Sequence, residues 1–257
     1  MAHSRMTKSD KPIFETGRLN RYIARAGICS RRNADKLIEQ GQVSVNGNVT
    51  HEYWYQVKKG DQVTVNGKTI SPSPFLYLLL NKPKDTITTM KDEKGRKTVM
   101  DLIKMDQDIH GLFPVGRLDR ATSGVLLLTS DGDLGHRLMH PRFQVSKQYR
   151  VRTKNPIRPN QIDQLLRGIV LEDGVATCDQ AVYLTKGNPR EIGIELHEGR
   201  NRQIRRMLEA LEHEIIGLDR ISYAGLTTRG LRRGQWRALT RKETRTLFRM
   251  VGYHHRS

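Results

Sequence analysis

The chain has 257 residues and a formal charge of +18, from 45 Lys and Arg against 27 Asp and Glu. That length supports two modest domains with real apolar cores, and the cationic excess points to a polyanionic partner, nucleic acid before the bland alternative of a merely soluble basic enzyme. The two cysteines, Cys29 and Cys178, lack paired spacing and read as reduced packing residues, the apolar run Phe75 to Leu80 is far too short to span a membrane, and the polar stretch Met1 to Thr16 has no signal region, so a cytoplasmic protein without membrane contact is expected.

A disordered leader is expected up to Gly17. Leu19, Tyr22, Ile23 and Ala26 then recur at helical spacing until Gly27 stops the helix. Ser30 caps a second helix with Ala34, Leu37 and Ile38 on one face, and Gly41 ends it. Val43-Ser44-Val45-Asn46-Gly47 is echoed by Val63-Thr64-Val65-Asn66-Gly67, each a strand entering a tight Asn-Gly hairpin. The linker Ser71-Pro72-Ser73-Pro74 closes this unit after Ile70, because it can continue neither helix nor sheet. From Arg18 to Ile70 the pattern resembles the RNA-binding domain named after ribosomal protein S4. That resemblance implies an RNA-facing surface made by Arg18, Arg21, Arg25, Arg31, Arg32 and Lys36. Five arginines on two short helices favour phosphate binding over simple solvation, since the guanidinium fork matches phosphate oxygens.

From Phe75 to Met250 the pattern is mostly strand-like: Phe75 to Leu80, Val125 to Thr129, Gln148 to Arg152, Ala181 to Leu184 and Ile192 to Leu196, with helices near Asp133 to Met139 and Arg202 to Leu211. Few strands are separated by regular helix-length segments, so an α+β fold with a mainly antiparallel sheet is expected rather than a doubly wound parallel one. Eight Lys and Arg crowd the stretch Arg229 to Arg249 around Trp236, so part of it should pack, with a basic tail from Val251 to Ser257.

Three segments carry chemistry. Gly116-Arg117-Leu118-Asp119-Arg120-Ala121-Thr122-Ser123-Gly124 puts a carboxylate in a tight loop feeding a buried strand, among cations; an ionised, positioned carboxylate is a competent covalent catalyst. Lys147-Gln148-Tyr149-Arg150-Val151 places Tyr149 on a strand, where the ring can stack on a base or its phenol relay a proton. Gly199-Arg200-Asn201-Arg202-Gln203-Ile204-Arg205-Arg206-Met207 leads into a helix whose buried stripe is Ile204, Met207, Leu208 and Leu211, with Arg205 at its margin and Arg206 pointing away. Arg205 can therefore reach inward and hold the Asp119 carboxylate in place, whereas Arg200, Arg202 and Arg206, with Arg117, read as phosphate ligands.

These motifs, in this order, resemble the pseudouridine synthases, and with the S4-like unit they resemble the RsuA family of that group, whose members modify ribosomal RNA. The resemblance implies a catalytic domain with a long, curved, mainly antiparallel sheet, Asp119 as nucleophile, Tyr149 as active-site tyrosine and Arg205 as partner of Asp119. It also implies ribosomal RNA as substrate, a stem-loop with a flipped-out uridine or a ribosomal subunit precursor, acted on by a monomer without cofactor or metal. The segment Arg167 to Gly174 and the Arg-rich C-terminus resemble the large-subunit enzymes of this family more than the small-subunit one, which implies large-subunit RNA as the substrate rather than small-subunit RNA. A non-catalytic ribosome-assembly factor is the rival from another class, disfavoured by the intact set Asp119, Tyr149 and Arg205. His136 and His140 lie one turn apart without a third metal ligand, and Asp131-Gly132-Asp133 reads as a turn capping a helix. No phosphate-binding Gly motif suggests a nucleotide cofactor, and the turn Asn81-Lys82-Pro83 has no role derivable from sequence.

Overall fold

The computed structural model describes residues 17–105, 109 and 111–253. The leader and most of the basic tail therefore lie outside the described residues. The chain forms two compact units, one centred on residues 17–75 and the other made of Leu76–Lys104 and Phe113–Tyr253.

The first unit runs β1 (Gly17–Arg18), α1 (Leu19–Arg25), α2 (Arg31–Glu39), β2 (Val43–Val45), β3 (Asn48–Val49), β4 (Gln56–Val57), β5 (Val63–Val65) and β6 (Lys68–Ile70). The Ser30 hydroxyl accepts the Asn33 N–H at 3.3 Å, capping α2 as the sequence led us to expect. Asn46 and Gly47 (φ 53° and 82°) and Asn66 and Gly67 (φ 50° and 74°) give both hairpins two left-handed residues in a row, the geometry that matches strand twist. Strands order as β3-β2-β5-β6, while β1 and β4 make a separate pair. Leu19, Ile23, Ala34 and Ile38 from the helices bury against Val43, Val57 and Val63 from the strands.

The second unit runs β7 (Tyr77–Lys82), β8 (Phe113–Pro114), β9 (Ser123–Thr129), α3 (Gly132–Met139), β10 (Lys147–Thr153), α4 (Pro159–Arg167), β11 (Ile169–Leu171), β12 (Gly174–Ala176), β13 (Gln180–Tyr183), β14 (Glu191–Leu196), α5 (Gln203–Ala210), β15 (Ile215–Tyr223), β16 (Trp236–Ala238) and α6 (Arg241–Met250). Eight strands form one sheet in the order β13-β14-β10-β15-β9-β7-β16, with β8 added beside β9. It is two antiparallel halves joined at a single parallel seam, where Asp219 and Arg220 of β15 face Ser123 and Gly124 of β9. Each half has its own core. Val151, Ile192, Ile194 and Leu218 pack with Met207 and Leu208 of α5 and Leu165 of α4; Leu79, Val125 and Leu127 pack with Leu134 and Leu138 of α3 and Leu247 of α6.

The seam requires a glycine. Gly124 has φ +109°, and a Cβ there would collide with the carbonyl oxygen of Arg220.

The α+β, mostly antiparallel architecture agrees with expectation, and several elements differ. The first strand of the second unit is Tyr77–Lys82 rather than Phe75 to Leu80, because it carries on through Asn81 and Lys82. The nine-residue strand β15, the longest in the sheet, had no counterpart in the sequence reading, since Asp219 and Arg220 interrupt its apolar pattern. Helices α4 and α6 and the small hairpin of β11 and β12 were likewise unanticipated. Among the described residues no helix is long and apolar enough to cross a membrane.

Candidate active site

Asp119 lies in the loop between β8 and β9, and what fixes that loop is a buried lysine. Lys82, the last residue of β7, is 0% exposed. Its Nζ donates to the carbonyls of Pro83 (3.1 Å), Asp119 (3.0 Å) and Thr122 (2.8 Å). Burial pushes the Lys82 ammonium down to about 8, against the pull of Asp119 and Asp85. The Thr122 N–H also donates to the Asp119 carbonyl at 3.0 Å, tightening the turn. Thr88 grips the residue before the carboxylate, its hydroxyl donating to the Leu118 carbonyl at 2.8 Å and accepting the Leu118 N–H at 3.2 Å.

The carboxylate of Asp119 meets two guanidinium groups. Its Oδ2 stands 3.5 Å from Nε of Arg205 and 3.8 Å from Nη1 of Arg202. Arg205 reaches inward because Ile204, Met207 and Leu208 turn α5 onto the core, leaving Arg205 at the edge of the buried stripe. Its Nη2 also donates to the Thr122 hydroxyl at 3.4 Å, so one cation spans both ends of the Asp119 turn. Arg205 is 13% exposed and Arg202 48%, so water screens the second contact far more than the first.

The loop, α5, β10 and β15 enclose a cavity of about 570 Å³, lined among others by Asp119, Thr122, Lys147, Tyr149, Arg205 and Arg220. Tyr149 on β10 is half-buried, packs against the core of the first half-sheet and lines the cavity. Lys147, two residues earlier, donates to the carbonyls of Val145 and His197, each at 2.8 Å. Burial, then the charge of Arg220, brings its ammonium down to about 8.

The structure thus brings Asp119, Tyr149 and Arg205 to one cavity, with Arg117 and Arg202 on its rim. Two of the expected phosphate ligands have partners within the chain. Arg206 makes a two-pronged pair with Asp173 at 2.8 and 3.0 Å. Arg200 bonds Glu198 at 3.1 Å and the Val175 carbonyl at 2.8 Å. Both arginines tie the start of α5 to the hairpin of β11 and β12, which the sequence reading lacked. In the first unit Arg18, Arg31, Arg32 and Lys36 are exposed and Arg21 and Arg25 half-buried; Arg25 stacks 4.0 Å over the Phe75 ring. Lys82, Lys147 and Arg220 went unrecognised as site residues. A lysine beside a proline at a strand end signalled the first only weakly, and nothing local signalled the last.

The arrangement suits work by one carboxylate on a flat, oxygen-rich ligand. Among the described residues the lining has no second free carboxylate, because Glu198 is occupied by Arg200 and Gln203, which argues against paired acid–base hydrolysis. Among the described residues no group of three or more His, Cys, Asp or Glu side chains is arranged to hold a metal. His136 and His140 stack tilted with ring centres 5.6 Å apart, and the His140 Nδ1 accepts the Arg142 N–H. Asp131 caps α3, accepting the N–H groups of Asp133 and Leu134.

Residues 76–210 match the model of the RNA pseudouridylate synthase family, and residues 17–63 match the S4 domain. The chain is 43% identical over 234 residues to ribosomal large subunit pseudouridine synthase B of Bacillus subtilis, covering 90% of this chain and 95% of that one. It is 38% identical to an uncharacterized RNA pseudouridine synthase of Aquifex aeolicus, covering 91% and 95%. Among solved structures, a pseudouridylate synthase superposes with a TM-score of 0.62 at 27% identity, covering 90% of this chain and 99% of the other.

Proposed function

This chain belongs to the RNA pseudouridylate synthase family, and from that premise we propose that it converts a uridine of large-subunit ribosomal RNA to pseudouridine, with Asp119 as the nucleophile. The observation that carries the assignment of residues is the Asp119 carboxylate set 3.5 Å from the shielded Arg205, in the cavity that Tyr149 also lines. The choice of RNA rests on the likeness to the large-subunit enzyme of Bacillus subtilis.

Isomerisation breaks the bond from C1′ of the ribose to N1 of uracil, makes one from C1′ to C5, removes a proton from C5 and leaves one on N1. No atom is added and no electron is lost overall. A carboxylate at 119 serves this by attacking C1′, by adding to C6 or by taking the C2′ proton, and each route needs it ionised and held still. Arg205 and the Lys82 clamp hold it in place. Tyr149 stacks on the flipped base, as aromatic side chains do in enzymes that act on extruded nucleotides, or its phenol takes or relays the C5 proton. Arg117 and Arg202 bind phosphates near the target, and the exposed Arg18, Arg31, Arg32 and Lys36 of the first unit bind RNA phosphates in their own right.

A map of pseudouridines in ribosomal RNA from cells with and without this gene tests the reading. One large-subunit site should vanish on deletion, return with wild type and stay absent with Asp119→Asn, while the purified variant binds RNA within about threefold of wild type because phosphate contacts dominate affinity. A lost small-subunit site would reassign the substrate. An unchanged map would favour the assembly-factor role, and turnover by Asp119→Asn would remove Asp119 from the chemistry.

A further inference from the structure

Building on that function, we propose that Arg220 is the floor of the uracil subsite and stabilises the negative charge that passes onto the base while its bond to the ribose is open. Arg220 sits on β15 at the parallel seam, paired in register with Tyr149 of β10 on one side and Gly124 of β9 on the other. It thus lies between the strand that presents the tyrosine and the one fed by the Asp119 loop. It is 3% exposed yet lines the cavity. Its Nε donates to the Val125 carbonyl at 2.8 Å, its guanidinium carbon stands 4.7 Å from the centre of the Tyr223 ring, and its Nη2 is buried without a hydrogen-bond partner.

A guanidinium held out of water with an unused donor is costly, and a buried arginine is ordinarily repaid by a carboxylate. Arg220 lacks that repayment. The neighbouring Asp219 gives its carboxylate to Arg233 at 2.7 Å and to the Ser123 hydroxyl at 3.1 Å. Apart from the Tyr223 phenol, the groups that feel the Arg220 charge are themselves cations: after burial, it helps to lower the ammonium groups of both Lys82 and Lys147. Asp119 faces Arg205 and Arg202, and Glu198 is engaged by Arg200, so the floor beneath Tyr149 keeps an uncompensated positive charge. Packing alone would be served by Leu or Met at no electrostatic cost. An excess buried cation lining this cavity is accounted for by a ligand that arrives neutral and becomes negative there.

Uracil does so. When the C1′–N1 bond breaks, its electron pair stays with the base, and the charge spreads over the ring nitrogens and the two carbonyl oxygens. In the route through C6 the added pair likewise comes to rest on the ring and O4. The charge is discharged when a ring pair forms the C5–C1′ bond, any bond from Asp119 to C1′ or C6 breaks with its pair returning to the carboxylate, the C5 proton departs and N1 is protonated. A permanently charged guanidinium fixed by Val125 and Tyr223 meets this charge without reorganising, which is where electrostatic stabilisation is largest.

Single-turnover isomerisation of an RNA that the wild type modifies is the test, with Arg220→Met, Arg220→Lys and Arg220→Ala. Arg220→Met, neutral and of similar length, should lose about 10²–10³-fold in rate with RNA affinity within about threefold. Arg220→Lys should stay within about tenfold of wild type. Guanidinium added at millimolar concentration should restore Arg220→Ala, and neutral urea of the same shape should not. Equal rates for the Met variant and wild type, or rescue by urea as good as by guanidinium, would show that volume matters and charge does not, and would overturn the proposal. If both neutral variants fail to fold, Arg220→Lys decides: a folded Lys variant slowed as much as ~10³-fold overturns it. A wild type that isomerises no uridine would instead bring down the functional reading itself.

Discussion

Lys82 shows how one residue can tie stability to catalysis. An ammonium has three donors, and at Lys82 all three are used on backbone carbonyls, two of them in the Asp119 turn. The arrangement has a cost because no carboxylate touches the buried charge. The folded-state value of about 8 lies below the ordinary 10.5. Between those two values the unfolded chain holds more protons than the folded one, so stability rises with pH across that window, and below about 8 the buried charge weakens the fold by on the order of 3 kcal/mol. Lys82→Met removes this charge and takes a donor from three carbonyls, of which that of Asp119 keeps the Thr122 N–H, effects of opposite sign. We expect stability at neutral pH within about 2 kcal/mol of wild type, and kcat reduced at least about tenfold because the carboxylate loses its anchor. Thermal midpoints measured from pH 7 to 10 check the origin of the effect: wild type should gain on Lys82→Met as pH rises through 8, and parallel curves would refute the buried-charge account. The two arginines on Asp119 should separate similarly. Arg205→Gln, at the shielded contact, should lower kcat by about 10²-fold with RNA affinity nearly intact, whereas Arg202→Gln, at the exposed one, should weaken RNA binding more than turnover.

At the level of elements, α6 is held by its first turn. The Thr240 hydroxyl accepts the Glu243 N–H at 3.2 Å, the Glu243 carboxylate accepts the Thr240 N–H at 2.8 Å, and the same carboxylate binds Arg237 of β16 at 2.6 and 2.8 Å. The Arg237 hydrogen bond, ahead of the Thr240 contacts, brings the Glu243 carboxyl down to about 2 from an ordinary 4.5. Its stabilisation is therefore complete above pH 4.5 and is lost as the pH falls towards 2. Glu243→Gln should cost about 1–2 kcal/mol in urea unfolding at pH 7, with little difference left at pH 2 and no change in kcat. This helix was legible in principle, since Thr240-Arg241-Lys242-Glu243 is a capping box and Leu247 and Val251 are its buried positions; the density of arginine hid it. The Asn-Gly hairpins and the Ser30 cap were readable because their cause lies within a few residues, and the motif order placed Asp119, Tyr149 and Arg205 in one family of sites. Strand β15 and the roles of Lys82 and Arg220 were not readable, because each depends on pairing between segments tens of residues apart. Lys82 meets carbonyls 37 and 40 residues away, and Arg220 one 95 residues away.

For the molecule as a whole, a formal charge of +18 is more than the catalytic cavity uses, and the structure sorts that charge into two kinds. Arginines such as Arg200, Arg206 and Arg237 are bound to carboxylates of the same unit and hold elements together. Arg31 and Arg32, on the helical face of the first unit, are exposed and able to exchange counterions for RNA phosphates. Only the second kind should appear in the salt dependence of RNA binding. Replacing Arg31 and Arg32 together by Ser should flatten the slope of log affinity against log salt by about 0.7–0.9 for each phosphate that is no longer neutralised, and weaken binding at physiological salt. The turnover of saturated enzyme should not change, because neither residue lies in the unit that carries Asp119. Binding titrations at several salt concentrations, paired with single-turnover rates at saturating enzyme, measure both quantities. An unchanged slope would mean that this face is merely solvated, and the phosphate grip would then have to come from Arg117, Arg202 and the basic stretch after β15. A fall in saturated turnover would mean instead that the first unit helps to place the uridine in the cavity as well as to retain the RNA.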